Sequence, residues 1–269
     1  MDQNKQKKKH SLKPVFILLI FASLFIGGGI YYLYFYNLDA VRRQETEAEI
    51  ADEYLEDLIE WAESGDGEDW YAWLTEKGRI KASQQDAVSG SLPAEAEESW
   101  SDDNWYTRDG IVYTPEYARG YVQCVLEVPA AKIRRGVYSG TWEDILYDLD
   151  IWMVTASRPD YELGETHFCI YGHNHTKQDL SFNRLKDVKA GDTFSLTSEK
   201  GRYEYEVTNI FAVTRETAAA SYADNFSLPK EKCYIITCGR GENRYVDLIV
   251  EGTLSRYMTV KEYAGTLRE

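Results

Sequence analysis

From about residue 111 to the C-terminus the chain is a series of short β-type runs separated by turn signals. That texture limits its architecture more than any other feature. Tyr121–Val128 is rich in β-branched and aromatic residues and stops at Pro129, which cannot continue a ladder. Lys132–Tyr138 follows, closed by Ser139-Gly140, and Ile151–Thr155 comes after a short helix that begins with a capping threonine, Thr141. Thr166–Tyr171 runs into Gly172-His173. Thr193–Thr197 and Tyr203–Thr214 are joined at the hairpin turn Ser198–Gly201, and Tyr234–Cys238 and Arg244–Val250 close the series. About eight strands at close spacing, with few helices, predict a mainly β fold: a closed or nearly closed barrel with short helices.

The N-terminal part has a different pattern. Five lysines fall within residues 1–13, and residues 14–38 carry no charge. An apolar run of that length predicts a transmembrane helix, with Tyr31, Tyr32, Tyr34 and Tyr36 as an interfacial belt. The basic tail before it keeps the N-terminus in the cytoplasm and sends the rest outside. Within 40–64, Ile50, Tyr54, Leu58 and Trp61 recur at helical spacing, which predicts an amphipathic helix. Residues 65–110 read as an irregular acidic linker with one short helix near Asp69–Lys77. The expected organisation is a cytoplasmic tail over 1–13, an anchor over 14–38, a helix and acidic linker over 39–110, and a β-barrel domain over 111–269.

A formal net charge of -15 argues against nucleic acid as the partner, because a phosphate backbone needs clustered Lys and Arg. Of the four cysteines, Cys124, Cys169 and Cys233 lie in apolar runs and read as buried small hydrophobes. No CxxC spacing marks a metal site, and no cofactor is implied.

Cys238 stands apart. It ends the strand Tyr234–Cys238, just before a short polar loop and the strand opened by Arg244. A thiol at a strand end is accessible, and a guanidinium nearby can hold an anion. His173 follows another strand directly after Gly172, where a barrel rim would place it. Nucleophilic catalysis by a thiol needs a base or cation beside it and a donor for the oxyanion, so Cys238, His173 and Arg244 form the candidate catalytic set. Arg240 rivals Arg244 from the connecting loop, and His175 rivals His173. Cys233 begins its strand and points to the opposite face from Cys238.

In this setting Ile236-Thr237-Cys238 resembles the TLxTC signature of the sortase family, with Ile where Leu is usual. Arg244 on the following strand resembles that family's arginine. Ile170-Tyr-Gly-His173-Asn174 resembles the segment around its histidine, in the YGH form of the class B enzymes. The stretches 126–141 and 182–207 resemble its early strands and middle hairpin, and the early strands look more like class A, C or D. The resemblance covers roughly 115–255 and leaves the class open.

The resemblance implies a membrane-anchored cysteine transpeptidase. Cys238 would attack an LPxTG-like sorting signal at the C-terminus of a secreted protein and form a thioester. An amine from a peptidoglycan precursor or a pilin would then take the acyl group. His173 would serve as acid and base, and Arg244 would bind the oxyanion or the signal. Two other readings share the fold: a barrel that binds without chemistry, and a thiol protease that only hydrolyses. A nuclease reading of His173-Asn174-His175 fails on the acidic character of the domain.

Overall fold

A computed structural model describes residues 13–64, 69–78, 118–150, 153–175, 180–239 and 246–267; the side chains of 13–20, 32–46, 175 and 180–181 are outside that description. Two compact units divide the chain, Met1–Arg42 and Arg43–Glu269. Helix α1 (Lys13–Ser64) contributes to both. In the first unit the apolar side chains from Phe21 to Tyr31 are exposed, Phe25 at 82%. The expected span over 14–38 falls in this helix. Among the described residues no helix is long and apolar enough to cross a membrane.

The second unit is a β-barrel. Its strands are β1 (Tyr121–Val128), β2 (Ile133–Ser139), β3 (Val154–Ala156), β4 (Phe168–Tyr171), β7 (Thr193–Ser198), β8 (Gly201–Thr214), β9 (Lys232–Cys238) and β10 (Val246–Met258). They close in the order β1-β2-β3-β4-β9-β10-β8-β7, which matches the expected eight-stranded barrel. Strands β5 (Asn174–His175) and β6 (Leu180–Ser181) form a separate two-stranded ribbon that the sequence pattern did not suggest. Pairing is antiparallel except for β2 with β3 and β4 with β9. The β7–β8 turn needs a glycine, because Gly201 has a φ of +132° and a Cβ there would lie 2.5 Å from the Met258 carbonyl oxygen.

Burial follows the alternation of the strands. Leu126, Val137, Phe168, Ile170, Phe194, Leu196, Ile235 and Ile249 are all sealed in the barrel core. A second apolar cluster lies where the end of α1 and helix α2 (Trp70–Glu76) cover the barrel wall, joining Leu55, Leu58, Trp70 and Trp73 to Val125, Val260 and Tyr263. Tyr54 and Leu58 of the predicted stripe are buried, while Ile50 and Trp61 lie at its edges, so the buried face centres on Ala51, Tyr54, Leu55 and Leu58. Helix α2 begins where expected, with the Asp69 carboxylate accepting from the backbone N–H groups of Tyr71 and Ala72. A buried ion pair, Arg135 Nη1 to Glu47 Oε2 at 3.3 Å, also ties α1 to β2.

Several boundaries differ from the sequence reading. The strand predicted over Ile151–Thr155 is the shorter β3, preceded by helix α3 (Trp142–Asp150) and the backbone bond from Met153 N to the Asp148 carbonyl. The last strand runs to Met258, well past the expected Val250, because β8 is long enough to pair with it throughout, across two bulges. Helix α4 (Arg215–Ala218) leads into a π-helical turn over Ala219–Ala223, and helix α5 (Val260–Thr266) ends the domain. A capping box, Thr259 with Glu262, starts α5. Most of the predicted linker over 65–110 lies outside the described residues.

Candidate active site

The parallel pairing of β4 with β9 sets the site. Phe168 lies opposite Cys233, and the register continues to Tyr171 opposite Ile236. Continued two residues further, it brings His173 alongside Cys238, on neighbours about 4.8 Å apart in a sheet. Side chains and backbone hold the chain in that register beyond the strand end. The Gly172 N–H donates to the Ile236 carbonyl at 3.2 Å. The Thr237 hydroxyl donates to the Gly172 carbonyl at 2.7 Å, buried. The Asn174 side-chain amide donates to the Cys238 carbonyl at 2.8 Å. On the other side the Phe182 N–H donates to the His173 carbonyl at 2.9 Å, and the Phe182 ring lies directly beneath Gly172.

The four thiols fall into two kinds. Cys124, Cys169 and Cys233 are fully buried, and burial pushes each of them well above the usual thiol range. They pack as small hydrophobes, as expected. Cys238 is half-buried, at the rim.

Its sulfur has a partner that the sequence reading missed. Arg215 Nη2 donates to Cys238 Sγ at 3.0 Å. Arg215 opens α4, directly after the end of β8, and Thr214 caps that turn by accepting from the Thr217 N–H. Thr214 pairs with Val246, and Asp247 pairs with Cys238, so β8, β10 and β9 meet at this corner. Asp247 shares the face of Cys238, and its Oδ1 lies 3.6 Å from Arg215 Nε. Burial raises the Asp247 carboxyl, with Arg215 acting against the rise. Charge attraction to Cys238 and their hydrogen bond, followed by Asp247, hold the Arg215 guanidinium above its usual range. Nothing in the sequence around Arg215 marked it, because strands distant along the chain make the contact.

Of the expected set, the structure brings the His173 loop to Cys238. Arg244 and its rival Arg240 lie outside the described residues, as does the side chain of His175. His167 is built into the core, 1% exposed, with Nε2 2.8 Å from both the Tyr161 hydroxyl and the Tyr222 carbonyl. Among the described residues no group of three or more His, Cys, Asp and Glu side chains is arranged to hold a metal.

The sortase domain model matches residues 126–255, from the middle of β1 to late in β10. Over that span the chain matches the sortase family. A candidate sortase of Bacillus subtilis (strain 168), YwpE, is 28% identical over 97 residues, covering 36% of this chain and 91% of that protein. Among solved structures, Listeria monocytogenes sortase A is 23% identical with a TM-score of 0.42, over 51% of this chain and 91% of that one. Clostridium perfringens sortase C, solved with the C-terminal cell wall sorting motif, is 21% identical with a TM-score of 0.40, over 76% of this chain and 91% of that one. The matched span contains His173, Cys238 and Arg244, and also Arg215 and Asp247.

Proposed function

We propose that this protein is a sortase, a membrane-anchored cysteine transpeptidase acting on secreted proteins that carry an LPxTG-like C-terminal sorting signal. The observation that carries the reading is the rim thiol of Cys238, touched by a guanidinium and tied by backbone and side chain to the His173 loop. In this reading the Cys238 proton passes to His173. The thiolate attacks the scissile carbonyl, and the carbon–nitrogen bond breaks as the His173 imidazolium gives its proton to the leaving amine. An amine of a peptidoglycan precursor or a pilin then attacks the thioester, loses its proton to His173 and frees the thiol. Arg244 binds the oxyanion or holds the signal, with a charge that does not depend on pH.

The anchor is part of the same proposal: residues 14–38 carry no charge and follow five lysines, a pattern that would hold a spanning helix with its N-terminus in the cytoplasm. Protease added to intact cells should remove the barrel and leave the tail.

Mass spectrometry of the protein with an LPxTG-type peptide library tests the chemistry. A thioester adduct should form on the native chain and on Cys233→Ala, and not on Cys238→Ala. An adduct that persists in Cys238→Ala overturns the assignment.

A further inference from the structure

We propose that Arg215 is a catalytic residue that holds the Cys238 sulfur as a thiolate, with Asp247 positioning it. This rests on the reading of Cys238 as the nucleophile.

The geometry places a charged donor on the reacting atom itself, Nη2 to Sγ at 3.0 Å. Arginine suits this task, because its fork can donate from one nitrogen to the sulfur while Nε faces a carboxylate. Asp247 occupies that second direction. Its side chain is 10% exposed, and its backbone pairs directly with Cys238 across β9 and β10. A lone buried carboxylate beside a thiolate would repel it, and Arg215 lies where it offsets that charge. The side chain of Arg215 is itself 60% exposed. An ion pair of that exposure adds little to folding stability, so Arg215 variants should leave the barrel folded.

The charge on the sulfur is balanced within the site. The thiol proton goes to His173, leaving a thiolate against the Arg215 guanidinium and an imidazolium ready to protonate the leaving amine. No oxidant or co-reactant enters.

The test uses the full chain and two readouts. The first is the rate at which iodoacetamide, a neutral reagent, alkylates Cys238 at pH 7, followed by peptide mass spectrometry. The second is thioester formation with the peptide library. Removing a hydrogen bond to a charged group costs enough to slow alkylation about 10-fold in Arg215→Ala, with a matching loss of thioester. Arg215→Lys should recover part of both rates, and Arg215→Gln neither. Added guanidinium ion should speed Arg215→Ala and leave the native chain unchanged. Alkylation in Arg215→Ala as fast as in the native chain overturns the inference and leaves the proposed function standing. If alkylation depends on Arg215 but the native chain forms no thioester with any sorting peptide, the pairing of arginine and thiolate stands and the proposed function falls.

Discussion

The side-chain amide of Asn174 donates to the backbone carbonyl of Cys238 at 2.8 Å, joining the residue after the histidine to the cysteine that ends β9. The bond fixes the spacing of two groups that belong to different strands. Asn174→Ala should therefore lower kcat/KM for peptide cleavage about 5-fold, the order of one lost hydrogen bond of about 1 kcal/mol. Alkylation of Cys238 should hardly change, because the contact with Arg215 stays. Equal losses in both measurements would show that Asn174 supports the thiol and not the register.

Gly172 has no room for a side chain. A Cβ there would lie 2.7 Å from two ring carbons of Phe182, which is fully buried. Gly172→Ala should destabilise the domain by about 1–3 kcal/mol, the range for overpacking a core, and slow cleavage by displacing His173. Adding Phe182→Leu should recover part of the stability in urea melts. If Gly172→Ala melts like the native chain, the ring yields more easily than this packing indicates.

The Nδ1 atom of His167 is buried and takes no hydrogen bond. Burial holds the imidazole below its usual range, with the Tyr222 carbonyl acting the other way. A histidine whose folded-state value is depressed stabilises the fold above its unfolded value, about 6.5. That contribution disappears as pH falls through the lower, folded value. Protonation would bury an N–H without an acceptor next to the Ala219–Ala223 turn, where Tyr161 donates to the Ala223 carbonyl. The melting temperature should fall between pH 7 and pH 5 in the native chain and fall less in His167→Gln, which cannot titrate. Parallel curves for the two would exclude this role.

The two arginines of the proposed site separate kinetically. Arg244→Ala should reduce kcat/KM at least ~10²-fold, the order of losing one oxyanion donor, while leaving the alkylation of Cys238 unchanged. Arg240→Ala should cost little in either. Equal losses for Arg244 and Arg240 would remove the reason for preferring Arg244.

What the sequence reveals depends on the range of the interaction. The barrel was legible because alternation and turn residues act over a few positions, and the β7–β8 hairpin appears where Ser198–Gly201 predicts it. The rim position of Cys238 and the burial of Cys233 follow from strand position in the same way. Arg215 was not legible. Its link to Cys238 spans 23 residues and depends on Thr214 pairing with Val246, a register that no local pattern specifies. The β5–β6 ribbon escaped because two-residue strands leave no periodicity to detect. The length of β10 escaped because its partner, β8, and not its own composition, decides where it stops.

The parallel contact of β4 with β9 also has a consequence in time. Asn174 and Cys238 are 64 residues apart, and no tight turn can join parallel neighbours. Such a pairing forms late, after the chain between has been closed into a loop. β9 and β10 also follow the other six barrel strands along the chain. A growing chain thus carries its histidine loop before its cysteine exists, and the two first meet when the barrel shuts.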